Sequence, residues 1–516
     1  MLRLLSGPAS ALLLMLAGCE RPAQRADALA QQASQLADAG HNKAALEAIN
    51  KAIALRDDNA GYFLLLASIQ VRAGNTQAAF VAGERALEVD AANVDALTLV
   101  ANVGFQAGQL DDANDAANRL LALDPNSLVG LQVKGLYELA KDRNVDADAT
   151  AERLLAIDPV NIPGIVIRSR VLAKAGKMEE ALAFVNHAID QSSPSAPLLI
   201  SKINLYRALE RPEDMATTFA ALDAATPERS PALRLDEINL LYELGRRDQA
   251  RAATLSFLAA RNARAADLAV LQRIWWEFDQ VPFTAETIVA ARDWGDPIAL
   301  LAVGRYLLWQ NQPQLADDLF FSYPAAVRPT GLAIHDRASL GLGREQDARN
   351  ETALILKRDP DNVDALLLRA EFEKRAGNLG LAIEAAQRAL NSDHTDPEVY
   401  VVLAELQAKA GAAWRAAQIF EDGLQQLPQN YLLIEHYTQF LHESGNKSRA
   451  VSVTRDFARA LPSSVRAWTV MAQQCSWASD AACAAEAAAG REAAAKRYRL
   501  DDPPGAPPDR GLLGKF

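Results

Sequence analysis

The stretch V-D-A-L-L-L-R-A-E-F-E-K-R-A-G-N-L-G-L-A-I-E-A-A-Q-R-A-L, residues 363–390, decides the fold. On both sides of Gly377, apolar residues recur three and four positions apart, the spacing of one face of an α-helix. Glycine takes left-handed backbone without steric cost, so Gly377 ends the first arm. Ala370 and Ala382 are small, one in each arm, which lets the two helices approach closely. A single hairpin of this kind cannot bury both apolar faces, and stacked hairpins can.

The same pattern runs outward from this stretch. Gly343, Gly377, Gly411 and Gly445 stand 34 residues apart, as do Gly40, Gly74 and Gly108, and Asp142 and Gly176 keep that register. Five residues after each turn comes an alanine: Ala45, Ala79, Ala113, Ala147, Ala181, Ala348, Ala382, Ala416, Ala450 and Ala484, with Met215 as the exception. Small residues also recur in the first arm, at Ala33, Ala67, Ala101, Gly135, Ser169, Ala404 and Ala472. Proline follows many second arms, as at Pro125, Pro159, Pro227, Pro360, Pro428 and Pro462, where it cannot continue the helical ladder.

Period, glycine, alanine and proline columns together resemble the tetratricopeptide repeat (TPR) family, whose unit is a 34-residue helix, turn and helix. The large aromatic of the first helix is mostly missing here. The expectation is an all-α chain, a right-handed α-solenoid of about fourteen TPR-like hairpins. Seven units fall in 26–263 and five in 329–498. Residues 264–328 lack the columns and are expected to form divergent, aromatic-rich helical units. Residues 499–516, rich in proline, read as an extended tail whose Leu512, Leu513 and Phe516 can dock on a partner or on the last hairpin.

The N-terminal segment reads differently. Arg3, a short apolar run and Leu16-Ala17-Gly18-Cys19 resemble the signal peptide and lipobox of bacterial lipoproteins. The run is too short to span a bilayer. The resemblance implies a signal peptide over 1–18, cleavage before Cys19, lipid on the Cys19 sulfur and amine, and a linker over 19–25. More than one acyl chain gives stable anchoring. Glu20 after the cysteine, in place of aspartate, leans to the outer membrane, facing the periplasm.

In 516 residues with 50% hydrophobic content there is material for a large core. A formal charge of −12 and the lack of a basic stripe speak against nucleic acid. No G-x-x-x-x-G-K-[ST], H-E-x-x-H or G-x-S-x-G occurs. His436 and His442 are six apart on one helix, on different faces, which does not suit a metal. The chain reads as a non-enzymatic protein-binding scaffold with no cofactor and no metal.

Three sets of residues are candidates. In the family, first helices line the inner, concave surface. One first-helix column is nearly all polar, and within it Arg170, Asn204 and Asn239, with Arg207, form a basic-to-amide patch. The resemblance implies that Asn102, Asn204 and Asn239 hydrogen-bond an extended peptide, the alternative being a solvated face. In the same column Glu371 and Glu405 make the C-terminal half acidic. The second set is the aromatics between Trp275 and Tyr323, including Trp276, Trp294, Tyr306 and Trp309. Core packing is expected for them, with Trp275 or Trp276 at an interface as the alternative. The third is Cys475 and Cys483, on opposite arms of the last hairpin near its turn, where a disulfide fits. Partners are then proteins, as extended peptides or subunits of an envelope machine for exopolysaccharide export, protein sorting or secretion. The membrane is reached through the lipid. The alternative is a polysaccharide held by stacking on the Trp-rich segment.

Overall fold

A left-handed turn closes most hairpins in the computed structural model, which describes residues 22–226, 229–261, 263–291, 296–321 and 329–501. Those residues hold 28 α-helices and no strand. None of these helices is long and apolar enough to cross a membrane. The calls on Cys19, residues 1–18 and the end of the tail lie outside the described residues, as do Trp294 and Tyr323.

The chain forms two compact units, divided after Leu205. Unit 1 holds α1 (Pro22–Asp38), α2 (Asn42–Leu55), α3 (Ala60–Arg72), α4 (Thr76–Val89), α5 (Val94–Gln106), α6 (Leu110–Leu123), α7 (Leu128–Ala140), α8 (Asn144–Ile157), α9 (Ile162–Lys174), α10 (Met178–Gln191) and most of α11 (Ala196–Ala208). Unit 2 continues with α12 (Pro212–Ala225), α13 (Pro231–Glu243), α14 (Arg247–Ala259), α15 (Ala265–Phe278), α16 (Ala285–Ala291), α17 (Pro297–Trp309), α18 (Pro313–Phe320), α19 (Thr330–Gly341) and α20 (Glu345–Arg358). It ends with α21 (Val363–Arg375), α22 (Leu379–Ser392), α23 (Pro397–Lys409), α24 (Ala413–Gln426), α25 (Tyr431–Glu443), α26 (Lys447–Ala460), α27 (Val465–Ala478) and α28 (Ala481–Ala494). In unit 1 the alanines Ala45, Ala79, Ala113, Ala147 and Ala181 are fully buried where the two arms of each hairpin meet.

The turn explains the glycine column. Gly377 has φ +84°; its N–H donates to Lys374 O at 3.2 Å, and the Asn378 N–H donates to Glu373 O at 2.8 Å. This pairing satisfies the orphan carbonyls at a helix C-terminus. Asp142, Glu210, Asn311 and Ser479 take the same conformation without glycine, at φ +53° to +57°. Asn311 matters most. Its N–H donates to Leu308 O at 3.0 Å and that of Gln312 to Leu307 O at 2.8 Å, the same turn inside the segment where the columns are lost. Five residues on, Ala316 is fully buried. Gly304 is the small first-arm residue of this hairpin, and a Cβ there would lie 2.4 Å from Phe320 Cε2. The divergent stretch therefore contains one regular hairpin, α17–α18.

A further column sits at the helix starts. Asn59, Asn93, Ser127 and Asn161 in unit 1, and Asn362, Asp396, Asn430 and Ser464 in unit 2, each accept a backbone N–H of the first turn that follows. Each such cap contributes about 1 kcal/mol.

Candidate protein-binding groove

Unit 2 packs part of its first-helix face against itself. Trp276 on α15 donates from Nε1 to Glu435 on α25 at 2.8 Å and stacks on Tyr431, with centroids 6.5 Å apart. Arg466 on α27 donates to Trp276 O at 2.8 Å and to Glu435 at 2.7 Å. Arg273 on α15 bonds Gln429 and donates to Asp501 O at 3.0 Å. One helix of the aromatic-rich segment thus meets helices more than 150 positions further along the chain. Trp275 and Trp276 are 1% and 5% exposed, in a core with Phe283, Tyr306 and Tyr431. The interface alternative for these tryptophans is corrected: their rings are enclosed and offer no face to a sugar or a partner.

Three of the polar candidates meet the same correction. Arg207 pairs with Asp236 and donates from Nε to Tyr498 O at 3.0 Å. Asn239 is buried and donates to Glu243 at 2.8 Å, and Asn204 is buried. A polar side chain at this first-helix position reads alike in sequence whether water or another part of the chain faces it. Asn102 and Arg170, both in unit 1, are half-buried, and Arg170 is engaged by a neighbour. Asn102, Arg170 and Asn204 belong to unit 1, and Arg207 and Asn239 to unit 2.

Burial sets the charge state around this closure. Glu243, whose Oε2 is enclosed without a hydrogen bond, is pushed up to about 8, and burial pushes Glu277 up to about 7. Desolvation penalises the charged form of each. A second buried ionic set ties α17 to α21 and α23. Asp364, fully buried, accepts from Arg305 at 2.7 and 3.1 Å and from Arg337 at 2.7 Å. Burial works to raise its carboxyl, and the two guanidiniums more than reverse that, leaving it below the usual range. Arg337 also pairs with Glu398, whose other oxygen accepts from Trp309 Nε1 at 2.7 Å.

Beside this set the first helices α17, α19, α21 and α23 enclose a groove of about 370 Å³. Leu308 and Val402 are its half-buried apolar residues, over the buried Leu340, Leu367 and Leu406, and Arg337, Glu371, Lys374, Glu398, Glu405 and Lys409 are its charged ones. Most of those charges are already paired. Glu371 holds Lys374 and accepts from Arg375 at 2.9 Å, and Glu405 meets His436 Nδ1 at 2.8 Å. Lys409 has no ion pair among the described residues. A groove of mixed apolar and fixed charged side chains suits a segment of protein chain. The sequence placed Glu371 and Glu405 on this face; the leucines and Lys409 carry no signal apart from their place in the register.

The structure joins Cys475 and Cys483 in a disulfide between α27 and α28, with Cα atoms 5.4 Å apart. His442 meets Gln474 at 2.7 Å and stacks on Trp477 with centroids 3.8 Å apart. No cluster of three potential metal ligands occurs among the described residues.

Comparison with known proteins supplies limited company. The profile of the family described as ChAPs (Chs5p-Arf1p-binding proteins) matches residues 388–484. No curated protein matches the chain. Among solved structures, the chain is similar to a tetratricopeptide repeat protein from Parabacteroides merdae at 17% identity and TM-score 0.42, covering 48% of this chain and 98% of that one. It is also similar to Pseudomonas aeruginosa pilF at 17% identity and TM-score 0.32, covering 40% and 95%. A thermophilic TPR protein from Thermus thermophilus gives 20% identity and TM-score 0.31, covering 38% and 99%.

Proposed function

We propose that the chain is a non-catalytic scaffold that holds a segment of a partner protein in the groove of α17, α19, α21 and α23. One observation carries the reading: four successive first helices line one groove in which Leu308 and Val402 stand among charged side chains, most of them held in place by ion pairs. The family matched over 388–484, which includes α23, is described as binding Chs5p and Arf1p, and that supports a protein as the ligand class. The enclosed Trp275 and Trp276 remove the basis for sugar stacking.

The same proposal places the scaffold on the periplasmic side of the outer membrane, tethered by lipid on Cys19, where it supports export, sorting or secretion assemblies. The Leu16-Ala17-Gly18-Cys19 motif is its support. A photo-crosslinking residue at Val402 in the full chain tests the groove. The expected product is an adduct with one protein segment that disappears in Lys409→Glu, a change at an exposed groove residue; adducts unaffected by that change refute the site. Intact mass of the N-terminal peptide tests the tether, and an unacylated Cys19 refutes it.

A further inference from the structure

Apart from the groove, unit 2 holds a second chain segment, and that segment is its own. The repeat register ends with α28, and residues 497–501 beyond it are not helical. They cross onto helices far back in the sequence. Arg207, near the end of α11, donates from Nε to Tyr498 O at 3.0 Å, and Arg273 on α15 donates to Asp501 O at 3.0 Å. The Asp501 carboxylate accepts the Ser463 N–H, just before α27, at 2.8 Å. Leu500 packs on the core of the unit, beside Ile274, Phe278 and Leu461.

These contacts have the form of ligand recognition. Two arginines read two backbone carbonyls three residues apart, which any chain segment offers. Selectivity comes from the leucine and from a carboxylate seated where a helix begins, a place that favours anions. The segment belongs to no helix or strand and its leucine is only half-buried. Segments held in this way open at a free energy well below that of global unfolding.

The fit is also incomplete. A cavity of about 10 Å³ lies beside the segment, lined in part by Glu243, Glu277 and Ser463. Glu243 Oε2 and Ser463 Oγ are enclosed without a hydrogen bond among the described residues. A buried polar atom left without a partner costs free energy, so a ligand that donates to Glu243 improves on the present occupant. Burial holds Glu243 and Glu277 largely protonated at pH 6, where neither repels Asp501 strongly. We propose that this face of α13, α15 and the start of α27 is a second binding site, specific for a non-helical Leu-Asp segment of a partner protein, and that residues 498–501 occupy it in cis as a removable latch.

The test uses the full chain at pH 6 and a labelled peptide, K-R-Y-R-L-D-D, residues 496–502, read by fluorescence anisotropy. A segment tethered in cis competes at an effective concentration of about millimolar. The wild type is therefore expected to bind the peptide at least about tenfold more weakly than Leu500→Ser/Asp501→Ala, whose own latch is loosened. Peptides carrying Leu500→Ser or Asp501→Ala are expected to bind that variant at least about tenfold more weakly than the parent peptide. Circular dichroism and urea midpoints confirm that the variant stays folded, and Leu500→Ser alone is the milder replacement should it not. Equal binding by wild type and variant, equal binding of the three peptides, or no binding by the folded variant overturns the proposal.

Discussion

Asp364→Asn removes the centre of the ionic set that ties α17 to α21 and α23. The carboxylate is fully buried and accepts three hydrogen bonds, at 2.7, 2.7 and 3.1 Å, from two guanidiniums. After the change Arg305 keeps only Asp396, at 3.5 Å, and Arg337 keeps Glu398. Breaking a buried pair by deleting one partner costs about 3–5 kcal/mol, because the remaining charge stays desolvated. The side chains of Arg305 and Arg337 are 22% and 10% exposed, so water restores little of that. Urea unfolding of the full chain, followed by the emission of Trp275, Trp276 and Trp309, reports on this unit, and a loss of about 3–5 kcal/mol is expected. Replacing Asp364, Arg305 and Arg337 together by apolar residues is not expected to recover it, because Asp396 and Glu398 then lose their cations. A loss below about 1 kcal/mol, the range of exposed ion pairs, refutes the reasoning.

Burial raises Glu243 to about 8 and Glu277 to about 7, so the folded chain holds protons that the unfolded chain releases above its ordinary carboxylate range. Their contribution is present below pH 4.5 and is lost as pH rises to about 7–8, at about 1.4 kcal/mol per pH unit for each group. Urea midpoints are expected to fall between pH 5 and pH 8 for the wild type, and less steeply for Glu243→Gln; an unchanged slope in the variant contradicts the assignment. Gly304→Ala places a methyl 2.4 Å from the Phe320 ring and is expected to destabilise by about 1–3 kcal/mol, with Phe320→Leu recovering part of it in the same assay. Cys475→Ser/Cys483→Ser opens a short loop and is expected to cost about 2–3 kcal/mol; reductant should shift the wild type by as much and leave the variant unmoved, and a shift in both rejects the disulfide as the cause.

What the sequence carried and what it did not divide along one physical line. The turns were legible at Gly377 and its equivalents because a left-handed residue after a helix is a local backbone demand. Asn311 meets the same demand without glycine, so α17–α18 passed as irregular although Ala316 and Gly304 hold the small positions. The capping residues Asn93 and Ser127 were readable from the same local chemistry once the register was known. Arg207 and Trp276 were not legible as internal contacts, since their partners Tyr498 and Glu435 lie far along the chain. Periodicity gives the face of a helix; it does not say whether that face meets water or another part of its own unit. In the groove, likewise, Glu371 and Glu405 stood out as charged residues on the first-helix face, while Leu367 and Leu406 resembled any other core leucine.

The closure of unit 2 and its groove are one construction. Arg337 and Glu398 line the groove and also belong to the buried set around Asp364. Glu398 is fixed from a second side by Trp309, whose helix α17 belongs to the aromatic-rich stretch. The groove therefore cannot widen between α19 and α23 without separating an ion pair from partners that water does not replace, so its width is set before any ligand arrives. Pre-organised sites lose little ordering entropy on binding. The loss of the repeat columns between residues 264 and 328 then has a positive reading: beside the small Gly304 and Ala316, the large rings of Trp275, Trp276 and Tyr306 fill the interior of the unit where first helices meet α25.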